Sequence, residues 1–469
     1  MHTSTTSTVP LEPWTAQQLE EATQGHWHNG KVPQGDIKRV LTDSRDAEKG
    51  DAFLALKGER FDAHDFVIKV AEQGCEIAIV SHPVDADICQ LVVADTRLAL
   101  GHLGAFRRAK NSQLKVIALT GSSGKTTTKE MLGSILSRIA PTLITRGNLN
   151  NDLGVPMMLL ELRAEHQYAV MELGASHQGE IDYTSNLVQP LVAGIINIGT
   201  AHLGEFGGRD GICRAKSEIY AHIAPNGTSI VPAADDFADS IRQAVQTEQV
   251  LSFGAGGEIF ATEIELQAQS ATFKLNTPQG VRQVNLPFAG EHNVQNATAA
   301  AAFALAIGIS LDDIVLGLEQ AVGAKGRLNF IQQGRHLLID DTYNANPTSM
   351  RAAAEVLAQQ EGVRVMVMGD IGELGSSAAQ QHYMLGRDLV SVKGLNFVVA
   401  VGEFAPAAQE GARSTQYGKK MQAFLTQEQA LPFLLSLIET HQPQSMSFLF
   451  KGSRYTHMET LMADLMEKL

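Results

Sequence analysis

The chain has 469 residues, 44% hydrophobic and 19% charged, which favours about three globular domains that each bury a core. A formal net charge of −14 disfavours a nucleic-acid or anionic-membrane binder, so any bound phosphate must be held by local groups. Three cysteines without CxxC spacing favour reduced thiols over a disulfide framework or a zinc site, and therefore a cytoplasmic protein.

Ten short hydrophobic runs predict β-strands, and most of them are followed by a helical pattern. This alternation predicts an α/β fold with parallel sheets, whose ligands bind beyond the carboxyl ends of the strands. The runs span residues 52–56, 76–80, 91–94, 116–120, 169–172, 194–198, 337–340, 363–368, 397–401 and 447–450.

Two segments are considered as a secretion signal and as a membrane-spanning helix. Residues 1–10 lack the basic and apolar parts of a secretory signal. The alanine-rich stretch 297–311 is shorter than the roughly 20 residues that cross a bilayer. We therefore expect neither a secretion signal nor a membrane span, and the stretch is expected to be a buried helix.

Two breaks in the pattern predict three domains, at residues 1–112, 113–325 and 326–469. The first break follows the charged end of a predicted helix at 98–110, and the second lies in the segment 323–327. The last domain alternates strands and helices like a Rossmann fold. It contains no GxGxxG, which argues against a dinucleotide-dependent enzyme.

Residues 116–128 carry the strongest local signal, a buried strand that runs into a glycine-rich turn and then a helix. Gly121 and Gly124 allow backbone amides to approach phosphate oxygens, Lys125 adds a cation, and the Thr126 hydroxyl is a ligand for Mg²⁺. Leu119 occupies the first glycine position of the general GxxxxGK[ST] pattern, so the loop has the shorter Thr-Gly-x-x-Gly-Lys-Thr form. A plain glycine turn is the alternative.

Three further residues are candidate metal ligands, and each has an ordinary structural alternative. Glu172 and His202 follow predicted strands, where ligands of parallel sheets collect, and Lys216 lies in a predicted helix. Taken alone, they are better explained as a solvated strand-end glutamate, a structural histidine and a surface lysine.

Seven motifs stand in the order found in the Mur ligases, and the chain resembles that family over nearly its whole length. They are Thr120-Gly-Ser-Ser-Gly-Lys-Thr126, Gly147-Asn-Leu-Asn-Asn-Asp-Leu-Gly-Val-Pro156, Met171-Glu-Leu-Gly174, Asn197-Ile-Gly-Thr-Ala-His202, Ala215-Lys-Ser-Glu-Ile219, Glu291-His-Asn-Val-Gln-Asn-Ala297 and Gly326-Arg327. Segments 43–45, 53–66, 340–347 and 367–370 are similar to the branch of the family that adds D-alanyl-D-alanine.

The resemblance implies ATP-dependent amide formation through an acyl phosphate, in cytoplasmic peptidoglycan precursor synthesis. It implies an N-terminal domain that binds UDP-N-acetylmuramoyl-tripeptide and a central P-loop ATPase domain. A C-terminal Rossmann-like domain would bind D-alanyl-D-alanine and close over ATP. We expect a monomer with two Mg²⁺ ions and no nucleic-acid partner.

The resemblance also assigns roles to individual residues. Those expected at ATP are Gly121, Ser122, Ser123, Gly124, Lys125, Thr126 and Thr127 on the phosphates, Asn293 and Asn296 on adenine, Arg327 on the γ-phosphate and Asp341 on the ribose. The expected metal ligands are Thr126 and Glu172 for one Mg²⁺, and His202 with a carbamylated Lys216 for the second. Lys125, Lys216, His202 and Arg327 are the expected catalytic residues.

Less specific segments supply the expected substrate contacts. Ser44, Arg45, Lys57 and His64 are expected at the UDP substrate, and Tyr343, Asn344 and Asn346 at the acceptor. Three alternatives remain open: a P-loop switch or motor, a non-catalytic nucleotide sensor, and another Mur-type or folylpolyglutamate-type ligase. A switch would hydrolyse nucleotide without both small substrates.

Overall fold

A computed structural model of the chain describes residues 9–58, 61–200 and 203–469. The described residues form four β-sheets. The first has the strand order β1-β5-β4-β3-β2, in which β1 is antiparallel to β5 and the others pair in parallel. Its elements are α1 (Ala16–Thr23), β1 (His26–Trp27), β2 (Val40–Leu41), β3 (Ala52–Leu54), α2 (Val67–Glu72), β4 (Ile77–Val80), β5 (Cys89–Val92) and α3 (Thr96–Lys110).

The second sheet is parallel, in the order β11-β10-β9-β6-β8-β7, and its central strands are almost fully buried. Burial on both faces explains why these strands read as continuous hydrophobic runs. The elements are β6 (Lys115–Thr120), α4 (Lys125–Ser137), β7 (Thr142–Ile144), α5 (Gly154–Leu160), β8 (Tyr168–Glu172), α6 (Glu180–Val188), β9 (Val192–Ile195), α7 (Leu203–Phe206), α8 (Arg209–Ser217), β10 (Thr228–Pro232), α9 (Ala238–Ala244) and β11 (Gln249–Phe253).

The long helix α3 joins the first sheet to the second. The Asp95 carboxylate caps it by accepting hydrogen bonds from the amides of Arg97 and Leu98. Its Leu100 and Leu103 share a buried cluster with Leu160 of α5, so the N-terminal and central sheets are packed through this helix.

A small antiparallel sheet, which the sequence analysis did not predict, follows the second sheet. Its strands are β12 (Phe260–Leu266), β13 (Ala271–Thr277) and β14 (Gly280–Leu286), followed by α10 (Glu291–Ala306) and α11 (Leu311–Glu319). Ala271, Phe273 and Leu275 alternate along β13, and all three are buried in one cluster with α10. The sheet therefore covers one side of that helix.

Helix α10 contains residues 297–306 of the alanine-rich stretch 297–311, and its burial confirms the expected buried helix over those residues, whereas 307–310 lie beyond its end. Its residues from Ala297 to Ala304 are buried, and it packs against strands of both neighbouring sheets. Small side chains let these elements approach on every side of the helix. Within the described ranges, every helix is too short or too polar to cross a membrane.

The C-terminal sheet has the order β15-β16-β20-β17-β18-β19, with β15 antiparallel to β16 and the remaining pairs parallel. Its elements are β15 (Asn329–Gln333), β16 (His336–Asp340), α12 (Pro347–Ala358), β17 (Val363–Gly369), α13 (Ala378–Ser391), β18 (Phe397–Val401), α14 (Ala405–Arg413), β19 (Met421–Phe424), α15 (Gln427–Thr440), β20 (Met446–Lys451) and α16 (Met458–Met466).

All ten predicted strands are present, and the three parallel-type sheets confirm the α/β class. The run predicted at 194–198 is displaced: β9 ends at Ile195, because the chain then turns under the glycine-rich loop and Asn197 bonds to it. The division into residues 1–112, 113–325 and 326–469 stays a prediction.

Candidate active site

A cleft of about 900 Å³ lies where the carboxyl edge of the central sheet meets that of the C-terminal sheet. This is the position expected for ligands of parallel sheets. Fifteen of the predicted site residues line it: Ser122, Ser123, Gly124, Lys125, Thr126, Thr127, Glu172, Lys216, Asn293, Asn296, Arg327, Asp341, Tyr343, Asn344 and Asn346.

The remaining predicted residues lie elsewhere. Gly121 is buried beneath the glycine-rich loop, where its carbonyl accepts a 2.8 Å hydrogen bond from Lys125 Nζ. Ser44, Arg45, Lys57 and His64 belong to the N-terminal sheet region and do not line the cleft. His202 lies outside the described residues, so its predicted role as a metal ligand stays a prediction.

The loop after β6 forms an anion site at the start of α4. Gly124 occupies the N-cap position with φ of 78°, and within the described residues no side chain caps the helix. The amides of the first turn are therefore available to an anion, and the helix dipole adds positive potential. A Cβ at Gly124 would stand 2.2 Å from Asn296 Oδ1, so glycine is required both by conformation and by space.

Asn197, which the sequence analysis did not select, holds this loop in shape. Its Oδ1 accepts hydrogen bonds from the amides of Ser122 (3.1 Å) and Ser123 (3.0 Å), and its Nδ2 donates to the Ser123 carbonyl (2.9 Å). One side chain thus satisfies three backbone groups of the loop. The available sequence signal was its place near the carboxyl end of the predicted strand 194–198, at the start of the motif Asn197-Ile-Gly-Thr-Ala-His202.

Glu172 ends β8 and is 2% exposed. Its Oε1 accepts a hydrogen bond from Asn150 Nδ2 at 2.8 Å, whereas its buried Oε2 has no hydrogen-bond partner in the described part of the chain. A buried carboxylate oxygen left without a partner is costly, and it suits a hard cation such as Mg²⁺. The described residues contain no group of three acidic, histidine or cysteine side chains arranged to hold a metal ion. A cation here would therefore need oxygens from Thr126, water or nucleotide as well.

Lys216, on α8, is 2% exposed and close to the loop lysine. Burial lowers the pKa of its ammonium well below the usual range, and the positive charge of Lys125 lowers it further, while Glu172 opposes both. The alternative of a surface lysine is wrong, because the side chain is buried in the cleft.

Arg327 connects the central and C-terminal regions. Its Nη2 lies 3.4 Å from Thr126 Oγ1, and its guanidinium stacks 4.3 Å from the ring centroid of Tyr343. Stacking orients the planar cation, and the contact with Thr126 brings it to the anion site of α4. The contact of Arg327 with a γ-phosphate stays a prediction.

Asp341 and Lys451 form a buried ion pair on the C-terminal wall, with Lys451 Nζ 2.7 Å from Asp341 Oδ2. Burial raises the pKa of the Asp341 carboxyl and lowers that of the Lys451 ammonium, and each partner opposes the other's shift. Lys451 also donates to the Asn344 carbonyl at 3.0 Å. Asn346 caps α12 through Oδ1, which accepts from the Ser349 amide at 2.8 Å.

The two asparagines predicted at adenine lie together on α10. Asn293 Nδ2 donates to the Ala289 carbonyl (2.8 Å), and Asn296 Nδ2 donates to Asn293 Oδ1 (3.0 Å). The neighbouring His292 also lines the cleft, and burial lowers its pKa to about 4. It is therefore neutral at physiological pH.

The predicted UDP-binding side chains have acidic or backbone partners. Arg45 pairs with the Asp43 carboxylate, and Lys57 Nζ lies 3.8 Å from Asp62 Oδ2. His64 Nδ1 lies 2.5 Å from Asp62 Oδ1, and its Nε2 accepts a 2.9 Å hydrogen bond from the Ser81 amide. The roles of these residues, and of Ser44, at a UDP substrate stay predictions.

These features define a class of protein. A phosphate-binding loop, a buried strand-end carboxylate beside it and an arginine supplied from a second domain make a P-loop enzyme whose nucleotide site lies between two domains.

Family models match three consecutive parts of the chain: the Mur ligase family catalytic domain at residues 36–118, the Mur ligase middle domain at 119–304 and the Mur ligase glutamate ligase domain at 326–454. The chain belongs to the Mur ligase family. It is 42% identical to the UDP-N-acetylmuramoyl-tripeptide--D-alanyl-D-alanine ligase of Escherichia coli (strain K12), over 94% of this chain and 96% of that protein.

Two crystal structures are similar to this one. MurF from Acinetobacter baumannii is 75% identical with a TM-score of 0.95, over 98% of this chain and 100% of that chain. The MurF ligase from Thermotoga maritima in complex with ADP is 26% identical with a TM-score of 0.79, over 92% of this chain and 97% of that chain.

Asn197→Ala should weaken ATP binding about 10- to 100-fold, because the Ser123 amide and carbonyl lose their partner and the loop loses its fixed shape. Titration calorimetry with ATP measures the effect, with thermal unfolding to verify the fold. Asn226→Ala, at an exposed turn of the same domain, is the matched control and should bind as the wild type does. Unchanged affinity in Asn197→Ala would show that the loop keeps its shape without this side chain.

Proposed function

We propose that this chain joins D-alanyl-D-alanine to UDP-N-acetylmuramoyl-tripeptide with ATP, giving ADP, phosphate and the UDP-linked pentapeptide of peptidoglycan synthesis. The contact of Arg327 with Thr126 carries the proposal, because it places a C-terminal cation at the phosphate-binding loop within one cleft. The 42% identity to the Escherichia coli ligase, over nearly the full chain, supports the choice of substrates.

The reaction requires activation of a carboxylate, because oxide is a very poor leaving group. The terminal carboxylate of the tripeptide attacks the γ-phosphorus of ATP and becomes an acyl phosphate, from which phosphate leaves readily. Lys125, the free amides at the start of α4 and Arg327 neutralise the charge that develops on the transferred phosphoryl group. The amine of D-alanyl-D-alanine then replaces phosphate at the carbonyl carbon.

Mg²⁺ would be held by Thr126 and Glu172, and the partnerless Oε2 of Glu172 supports this assignment. When bound, the ion spreads the negative charge of the phosphates. His202 and Lys216 would serve a second Mg²⁺. The protein's own contribution is to orient Glu172, which the hydrogen bond from Asn150 does for one of its oxygens.

Lys216 would act as a carbamate rather than an ammonium. A neutral amine attacks the carbon of CO₂ and loses a proton, which converts a cation into an anionic oxygen ligand. The lowered pKa of Lys216 supports this chemistry, because the amine needs a free electron pair. The buried position beside Glu172 also supports it, because metal binding there would compensate both anions.

The remaining assignments complete the proposal. Residues 1–112 would bind the UDP substrate, 113–325 ATP and 326–469 the acceptor, in a cytoplasmic monomer. Asn293 and Asn296 would contact adenine, and Asp341 the ribose. Tyr343, Asn344 and Asn346 would contact the dipeptide; all three line the C-terminal wall of the cleft, which supports that location.

Incubation of the purified protein with ATP, UDP-N-acetylmuramoyl-tripeptide and D-alanyl-D-alanine should yield the UDP-linked pentapeptide, detected by mass spectrometry. Lys125→Ala should lower turnover by a factor of about 100 or more, because the phosphoryl group loses a positioned cation. Efficient extension by free diaminopimelate, glutamate or a single alanine would contradict the proposed acceptor. ATP hydrolysis that needs neither substrate would instead favour a P-loop switch.

Lys216→Ala should lose at least about 100-fold in kcat, and acetate should restore part of it, because the missing group is an anionic oxygen ligand. The exposed Lys110→Ala is the control and should remain fully active. Carbon-13 NMR of the wild type with labelled CO₂ should give a carbamate signal that Lys216→Ala lacks. Rescue by small amines instead of acetate would refute the carbamate.

A further inference from the structure

The loop between β17 and α13 is firmly anchored on both sides of one glutamate. Ile371 and Leu374 are buried, at 2% and 3% exposure. The Ile371 amide donates a 3.0 Å hydrogen bond to His382 Nε2, and the Gly372 amide donates a 2.8 Å hydrogen bond to Ser453 Oγ. This anchoring determines where the intervening residue stands.

Glu373 occupies that position, and its side chain is exposed where it lines the cleft. Its backbone has φ of +63°, in the left-handed region that glycine adopts without strain and a glutamate does not. Its carbonyl accepts a 3.4 Å hydrogen bond from the Gly204 amide, so α7 of the central domain holds the same loop. The strain is retained at a residue whose side chain faces the site, a pattern typical of functional positions.

The charge of Glu373 acts across the cleft. Burial lowers the pKa of the Lys125 ammonium, and Glu373 is one of the carboxylates that opposes this shift, together with Glu172. Glu172 lies below the phosphate-binding loop on the central sheet, whereas Glu373 comes from the C-terminal wall that would bind the acceptor. The Glu373 carboxylate thus lies across the cleft from the phosphate-binding loop, on the wall proposed to bind the acceptor.

The acceptor's amine needs such a group. An α-amino group has a pKa near 8, so at pH 7 most of the dipeptide is an ammonium ion with no electron pair for attack. Neutral Asn344, Asn346 and Tyr343 can orient the dipeptide but accept this proton poorly.

We propose that Glu373 binds the ammonium group of the acceptor dipeptide and accepts its proton, an inference that rests on the proposed function. The ammonium gives one proton to the Glu373 carboxylate, and the freed electron pair forms the N–C bond to the acyl phosphate. The bond between the carbonyl carbon and the oxygen that bridges it to phosphorus then breaks, and the electron pair of that bond leaves with phosphate. The nitrogen's second proton goes to that phosphate, and Glu373 returns the first proton to water.

Glu373→Gln should lower kcat/KM for D-alanyl-D-alanine about 100-fold at pH 7, with KM for ATP nearly unchanged. At pH 9 the amine is already neutral, so the difference from the wild type should shrink to less than about tenfold. A structural role would not produce this pH dependence. Glu403→Gln, which removes an exposed carboxylate on a neighbouring loop of the same domain, is the matched control and should behave as the wild type.

The variant Glu373→Gly distinguishes the loss of the carboxylate from a loss of protein stability. Glycine fits φ of +63°, so this variant should unfold at the wild-type temperature or above while losing activity as Glu373→Gln does. Three outcomes would overturn the inference: a change in kcat/KM below about threefold, an equal loss at pH 7 and pH 9, or a loss confined to KM for ATP. If the wild type itself makes no pentapeptide, the proposed function fails instead.

Discussion

The burial of Lys125 and Lys216 in one cleft is the constraint on which the site depends. The two side chains lie in one cleft, and each has its pKa lowered by burial, with the charge of Lys125 adding to the shift of Lys216. Glu172 opposes both shifts. Two lysine side chains buried beside one carboxylate favour a bound anion such as phosphate, which compensates their positive charge. A chain with a net charge of −14 can thereby hold a polyanion through local groups.

These charges come together because the carboxyl edges of two sheets meet at the cleft. The central sheet contributes the loop after β6 and the end of β8, and the C-terminal sheet contributes the ends of β16 and β20. Asn197 fixes the loop within its own domain, whereas Arg327 and the Glu373 carbonyl join the two domains across the cleft. A substrate carboxylate and its acceptor can therefore meet beside one phosphate site.

The features that could be predicted from the sequence are those that a short stretch of residues determines. The β6 loop, the strand-end Glu172 and the ten main strands follow from short motifs and hydrophobic runs. The contact of Asn197 with the glycine-rich loop was missed, because its partner Ser123 is 74 residues away and the spacing of such distant residues has no recognisable pattern. The small antiparallel sheet was missed because β12 has no buried residue, and because the buried residues of β13 and β14 alternate with less buried ones and form no continuous hydrophobic run. The roles of Ser44, Arg45, Lys57 and His64 depend on how a UDP substrate is positioned, which no single segment of the sequence determines.

In the proposed reaction, the substrate carboxylate is phosphorylated before the amine attacks. UDP-N-acetylmuramoyl-tripeptide that carries ¹⁸O in both oxygens of its terminal carboxylate can show whether this carboxylate is the phosphoryl acceptor. During complete turnover with ATP and D-alanyl-D-alanine, one ¹⁸O should appear in each released phosphate, and the other should remain in the new amide carbonyl. Phosphate released without ¹⁸O, alongside normal pentapeptide formation, would contradict the acyl-phosphate account.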